Sequence, residues 1–195
     1  PSRQRRQAFG FSSASSSAGS HPNCSSHCNF TSPLAICACS FAIGPPGFCA
    51  LYPINVKNAE VQGKRAYACI ADIGEPVELA VIATPPQTVP GIIEECGIHG
   101  VKAAVIITAG FGEAGTAGAA LEKELLETAR RYNIRLIGPN CLGIMRPSIG
   151  LNATFNKGGA NTGNIAFVSQ SGALCTAILD WAQINDVGFS SVVSM

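Results

Sequence analysis

Residues 77–112 read VELAVIATPPQTVPGIIEECGIHGVKAAVIITAGFG, and this stretch decides the fold. Val77–Ala83 is a near-continuous apolar run rich in β-branched residues, as expected of a parallel strand covered on both faces. Thr84, Pro85 and Pro86 stop it. A helix follows, with Thr88 as the expected N-cap and Pro90 in the first turn, where a missing N–H does little harm. Val89, Ile92, Ile93 and Cys96 recur at i, i+3, i+4 and i+7 and share one face. Gly97 is the expected C-cap glycine. Ala103–Thr108 is a second apolar strand. Strand, helix and strand joined by short loops imply parallel strands with crossover connections.

The same alternation extends in both directions. Leu51–Lys57 reads as a strand ending in a polar turn. After the loop Ala109-Gly110-Phe111-Gly112, a helix is expected from about Ala117 to Arg131, with Leu121, Leu125 and Leu126 as its inner stripe. Arg130 and Arg131 stand at its C-terminal end, where they complement the helix dipole. Arg135–Ile137 is the next strand, cut off by Gly138-Pro139-Asn140. Pro147–Thr162 turns to Gly, Asn and Ser and reads as an inter-domain connection. A new strand opens at Asn164–Val168, and Ser169-Gln170-Ser171-Gly172 turns into a helix whose Leu174, Ile178 and Trp181 fall at i, i+4 and i+7. Phe189–Val193 is the expected next strand. The fold class is α/β, with a Rossmann-like sheet over 51–146, a connection over 147–162 and the start of a second parallel unit over 163–195. Residues 1–50 form a separate segment.

That first segment has a different composition. It holds Arg3, Arg5 and Arg6 and no acid, the first acid of the chain being Glu60. Eleven serines fall in its first 40 positions. It reads as a disordered arm or out-of-frame text, with an Arg- and Ser-rich transit peptide as the alternative. His21, Cys24, His27 and Cys28 are spaced too tightly for two separated pairs of zinc ligands, so no metal site is assigned. The net charge of +1 gives no reason to expect nucleic acid. No apolar run reaches the roughly 18 residues of a membrane span. Cys69, Cys96, Cys141 and Cys175 stand singly in apolar patterns, as reduced cysteines of a cytoplasmic protein do.

Ligands of such sheets gather beyond the carboxyl ends of the strands. The segments of interest are therefore Asn55–Lys57, Thr84–Pro86, Thr108–Gly110 and Gly138–Cys141. Ser169–Gly172 places hydroxyls and a glycine where a helix begins after a strand, a setting that stabilises phosphate. The bland reading is Ser171 as an N-cap alone. A hydrolase elbow needs Gly-x-Ser-x-Gly, and Ser169 stands in place of the first glycine. Thr108–Gly112 is either a ligand loop or a plain connector. Lys57 either pairs with phosphate or is a solvated lysine, and His99 reads as a surface histidine.

YPINVK, LAVIATPP, VKAAVIITAGFGE, RLIGPNCLGIM, GLNATF and GNIAFVSQSGALCTAILDWA occur in that order. Through them residues 52–195 resemble the α-part of ADP-forming acyl-CoA synthetases, relatives of the succinyl-CoA synthetase α subunit. The resemblance implies a CoA-binding Rossmann domain followed by a flavodoxin-like ligase domain. It implies formation of acyl-CoA from a small carboxylic acid, CoA and ATP, with Mg in the full-length protein and an ATP-grasp domain or subunit as partner, in a homo- or hetero-oligomer. By position, Lys57, Ile107, Thr108 and Ala109 would contact CoA. Ser169, Ser171 and Gly172 would hold phosphate, and Asn140 and Cys141 would line the active-site loop. Two departures stand out. The family's first strand and Gly-rich turn, expected near residues 10–40, are not recognisable, and its phosphorylated histidine falls past Met195. Weak CoA binding and no catalysis by this chain alone are therefore expected. The alternatives are the CoA-sensing region of a protein lysine acetyltransferase and a stand-alone CoA-binding module.

Overall fold

The structure, a computed structural model, describes residues 35–40 by their backbone and residues 50–195 in full. The His21–Cys28 cluster and the other readings on residues 1–34 lie outside the described residues. The first sheet has the order β2-β1-β5-β6-β7. Its members are β1 (Ala35–Ser40), β2 (Ala50–Ile54), β5 (Leu79–Ala83), β6 (Ala103–Ile106) and β7 (Arg135–Ile137). A small hairpin, β3 (Glu60–Val61) with β4 (Lys64–Arg65), turns through Gln62 and Gly63, both at positive φ.

β5, β6 and β7 run parallel, as the text around residues 77–112 requires. The helices α1 (Val89–Ile98) and α2 (Thr116–Arg131) join them. Ala80, Ile82, Ala104 and Ile106 face the helices and pack with Val89, Ile93, Cys96, Leu125 and Ala129. Leu79, Val81 and Val105 face the opposite way, against Cys141 and Ala153. Both faces are covered, which is why the strands read as unbroken apolar runs.

Several expectations are corrected. The segment 1–50, read as lying outside the fold, contributes β1, which pairs antiparallel with both β2 and β5. Its text, Ala-Ile-Cys-Ala-Cys-Ser, is small and uncharged. The stretch 147–162, read as a plain connection, contains β9 (Leu151–Thr154), hairpinned to β8 (Gly143–Arg146). Ile144, Leu151 and Ala153 of this hairpin cover the back of the first sheet. β8 also pairs antiparallel with β11 (Gly188–Ser194) in a second sheet of order β10-β11-β8-β9. The hairpin therefore ties the two sheets together. β10 (Asn161–Ser169) and β11 are parallel and joined by α3 (Gly172–Ile184).

Four details of the helices also differ. Gly97 lies inside the last turn of α1, backed against the Tyr132 ring, and the left-handed glycine that ends the turn is Gly100, at φ +78°. Thr88 makes no capping bond, because its hydroxyl donates to the Pro85 carbonyl at 2.7 Å. The buried residues of α2 are Gly118, Leu125, Thr128 and Ala129, and Leu126 is 37% exposed. In α3 the buried residues are Cys175, Leu179 and Ala182, while Leu174 and Trp181 are about half exposed, at 49% and 54%. Among the described residues no helix is long and apolar enough to cross a membrane.

Candidate functional site

The predicted loops meet along one edge, and backbone hydrogen bonds lock them there. β6 ends at Ile106. The Ile107 N–H then donates to the Ile82 carbonyl at 2.9 Å, continuing the ladder one residue further. The Thr108 hydroxyl donates to the Thr84 carbonyl at 2.7 Å, fixing the end of β6 to the end of β5. The Asn140 N–H donates to the Thr108 carbonyl at 2.9 Å, which brings in the loop after β7. Asn140 itself is exposed and left-handed, at φ 54°.

Cys141 differs from its expected place lining the site. It is buried, and its thiol donates to the Ile106 carbonyl at 3.3 Å. Burial pushes the thiol up to about 11, so it is neutral at physiological pH. It holds the Gly138–Leu142 loop against the sheet and cannot serve as a thiolate. Leu142 carries the loop on to the second sheet. Its N–H donates to the buried Ser194 hydroxyl at 3.2 Å. A Cβ placed on Gly172 would stand 3.7 Å from the Leu142 side chain.

The Ser169–Gly172 turn therefore abuts the loop that follows β7. The Ser171 hydroxyl accepts the Leu174 N–H at 3.2 Å, a genuine N-cap, and the Ser171 N–H donates to the Ser169 hydroxyl at 3.0 Å. Both serines are thus engaged in the turn, with Ser171 exposed and Ser169 half-buried.

At the other end of the edge, Asn55 is buried and its carboxamide oxygen accepts the N–H groups of Lys57 and Asn58, at 2.9 and 3.0 Å. This turn holds the exposed Lys57 beyond β2. Lys57 is separated from Thr108 by the width of β1 and β5, so a molecule touching both spans three strand spacings, roughly 14 Å. Sequence reasoning missed what flanks Lys57. Tyr67 pairs with β2 through Asn55 N–H to Tyr67 O and Tyr67 N–H to Pro53 O, both 2.9 Å. The Tyr67 ring meets Tyr52 edge-on and carries the Arg65 guanidinium 5.2 Å above its centre. The available signal was the short EVQGKR hairpin text, with Gly at the second turn position.

The loop between β6 and α2 is held by acids. Glu113 accepts the Gly110 N–H at 2.6 Å and the Phe111 N–H at 3.2 Å. The Gly110 bond foremost holds its carboxyl below the usual range. Glu122, one helical face away on α2, accepts the Gly112 N–H at 2.9 Å. His99 caps the C-terminal end of α1, where the chain turns back toward the start of β6. It is thus at the edge opposite the site, and it is the sole histidine among the described residues. Among those residues no group of three or more His, Cys, Asp and Glu could hold a metal ion.

Residues 47–147 match the model of a CoA binding domain, and residues 162–195 that of a succinyl-CoA ligase like flavodoxin domain. The chain is 49% identical over 145 residues to acetate–CoA ligase (ADP-forming) I of Archaeoglobus fulgidus, covering 74% of this chain and 21% of that one. It is 50% identical to subunit alpha of acetate–CoA ligase (ADP-forming) II of Pyrococcus furiosus, covering 74% of this chain and 32% of that one. A dinucleotide-forming acetyl-coenzyme A synthetase of Ca. Korarchaeum cryptofilum, solved with phosphate and ADP, superposes with a TM-score of 0.69 at 43% identity, over 73% of this chain and 30% of that one. The chain thus spans between a fifth and a third of these relatives. With a CoA-binding domain over half its length and the start of a ligase-type flavodoxin domain after it, the chain belongs to the ADP-forming acyl-CoA synthetase family.

Proposed function

We propose that this chain binds CoA along the carboxyl edge of its first sheet, as the CoA-binding part of an ADP-forming acid–CoA ligase. In the whole protein a small carboxylic acid, CoA and ATP would give acyl-CoA, ADP and phosphate. The supporting observation is the continuous path from Thr108 through Asn140 and Leu142 to Gly172. It sets the expected CoA-contacting loop beside the expected phosphate turn. Lys57 lies at the β2 end of the edge, and the hairpin beside β2 adds Lys64 and Arg65, with Glu60 opposite Arg65. Cations there suit the phosphates of CoA. The ends of β5 and β6 present hydroxyl and backbone groups that suit an uncharged amide-bearing arm.

Lys57, Ile107, Thr108 and Ala109 are the proposed contacts to CoA, and Ser169, Ser171 and Gly172 those to a phosphate. Asn140 faces the ligand path, with Cys141 supporting it from beneath. The first domain is proposed to run over 51–146 and the second from 163. An ATP-grasp domain or subunit, Mg with its nucleotide, and a cytoplasmic setting belong to the same proposal. Calorimetric titration of the 195-residue chain with CoA tests it. Saturable weak binding that falls on the order of tenfold in Lys57→Ala supports the reading. Binding indifferent to Lys57, or none at millimolar CoA, refutes it.

A further inference from the structure

At the carboxyl edge the consecutive N–H groups of Gly110 and Phe111 converge on one carboxylate, as backbone donors that accept anions do, and the Gly112 N–H meets a second. Here the chain fills all three with its own carboxylates. Glu113 takes Gly110 at 2.6 Å and Phe111 at 3.2 Å, and Glu122 takes Gly112 at 2.9 Å. The two acids come from separate elements, one from the short turn after the loop and one from the middle of α2. Glu122 reaches back to stand where a side chain at Gly112 would begin. Phe111 is fully buried beneath the loop, and its carbonyl rests against Gly118, so the donors have no freedom to turn elsewhere.

We infer that Glu113 and Glu122 are specificity-setting positioning residues: by occupying these donors they bar phosphate from the β6–α2 loop, so that only an uncharged stretch of ligand passes over Thr108–Gly110. The inference rests on the proposed CoA site and deepens it. The charge layout agrees, since Lys57 lies at the β2 end of the edge and the two carboxylates at the β6 end. A polyanionic ligand laid along this edge has one orientation that keeps its phosphates from the acids. The carboxylates act by filling donors as well as by repulsion: Glu113 uses both oxygens, so the single acceptor oxygen of Glu113→Gln can fill only one of the two N–H groups.

The test follows backbone amide signals of the isotopically labelled full chain during titration with inorganic pyrophosphate. The Gly110, Phe111 and Gly112 signals are expected to stay still in the wild type, and Glu113→Gln, which keeps one acceptor, to move them less than Glu113→Ala. The Gly110 and Phe111 signals are expected to move saturably in Glu113→Ala, and Gly112 alone in Glu122→Ala, with apparent affinity raised on the order of tenfold. Movement of these signals in the wild type, an equal gain in Glu113→Gln, or no gain in either alanine variant overturns the inference. A parallel titration with CoA, read at Lys57 and Thr108, tests the CoA site separately. If pyrophosphate behaves as expected while CoA moves neither residue, the CoA reading fails and the occupancy of the loop donors stands.

Discussion

Replacing Gly118 by Ala should destabilise this chain, although the same change in most helices does the opposite. Gly in a helix interior is worse than Ala by about 0.5–1 kcal/mol. At Gly118 the added Cβ runs into the Phe111 carbonyl, and the Gly110 carbonyl stands only 3.1 Å away. These are backbone atoms at the root of the ligand loop and cannot swing aside as a side-chain tip would. Overpacking of this kind costs about 1–3 kcal/mol. Set against the propensity gain, the net loss is about 1–2 kcal/mol. For a chain of this length that lowers Tm by about 2–4 °C per kcal/mol. Gly91, in the first turn of α1, is the control, because nothing lies within 4 Å of its added Cβ. Gly91→Ala should raise stability by up to about 0.5–1 kcal/mol. Urea unfolding of both variants, with slopes compared, decides the matter. If Gly118→Ala is as stable as Gly91→Ala, α2 does not approach the loop as described. The proposed seating of Gly110–Gly112 by Glu122 then loses its foundation.

Thr108→Val removes the hydroxyl bonded to the Thr84 carbonyl at 2.7 Å, and should cost about 1 kcal/mol of stability and weaken CoA binding, read by unfolding and calorimetry on the same samples. Ser171→Ala removes the N-cap of α3 and should cost about 1 kcal/mol, whereas Ser171→Asp should restore stability but not phosphate binding. With the Cys141 thiol pushed up to about 11 and the Cys96 thiol to about 12, alkylation at pH 8 should, among the cysteines of residues 50–195, modify the half-buried Cys69 first, with Cys96 and Cys141 reacting only on unfolding, as peptide mapping would show. Because the Glu113 carboxyl is held below its ordinary 4.5 in the folded chain, its support of the loop is present above that value and lost as pH falls through the lowered one. Hydrogen exchange at Gly110 and Phe111, corrected for intrinsic rate, should therefore quicken relative to the rest of the sheet only below pH 4.5, and Glu113→Gln should abolish that step.

The parts of the fold legible in the sequence were those where burial leaves a period. β5 and β6 are covered on both faces, so VELAVIA and AAVIIT could be nothing but interior strands. Ser171 was legible as a cap because a hydroxyl at a strand-to-helix turn has one strong local use. α3 was misread for a definite reason. Leu174, Ile178 and Trp181 make one apolar stripe and Cys175, Leu179 and Ala182 another, so periodicity does not choose between them. The smaller stripe is the one buried, and Cys175 and Ala182 let the helix lie close to the sheet. β1 escaped notice because its small, uncharged text lies in a Ser- and Cys-rich segment and it gains its place by pairing with β5, and β9 because its four residues sit in Gly- and Asn-rich text. The Glu122 contact was likewise invisible, since a carboxylate that returns to a backbone N–H ten residues away leaves no mark on composition or spacing.

The most direct measurement is the crystal structure of this chain soaked with CoA. CoA should lie across the carboxyl ends of β2, β5 and β6, with its phosphates near Lys57, its uncharged arm passing Thr108, and its thiol end directed to the Ser169–Gly172 turn. Gly110, Phe111 and Gly112 should remain bonded to Glu113 and Glu122. CoA bound at the opposite edge near His99, or with a phosphate on the Gly110–Gly112 amides, would contradict the account.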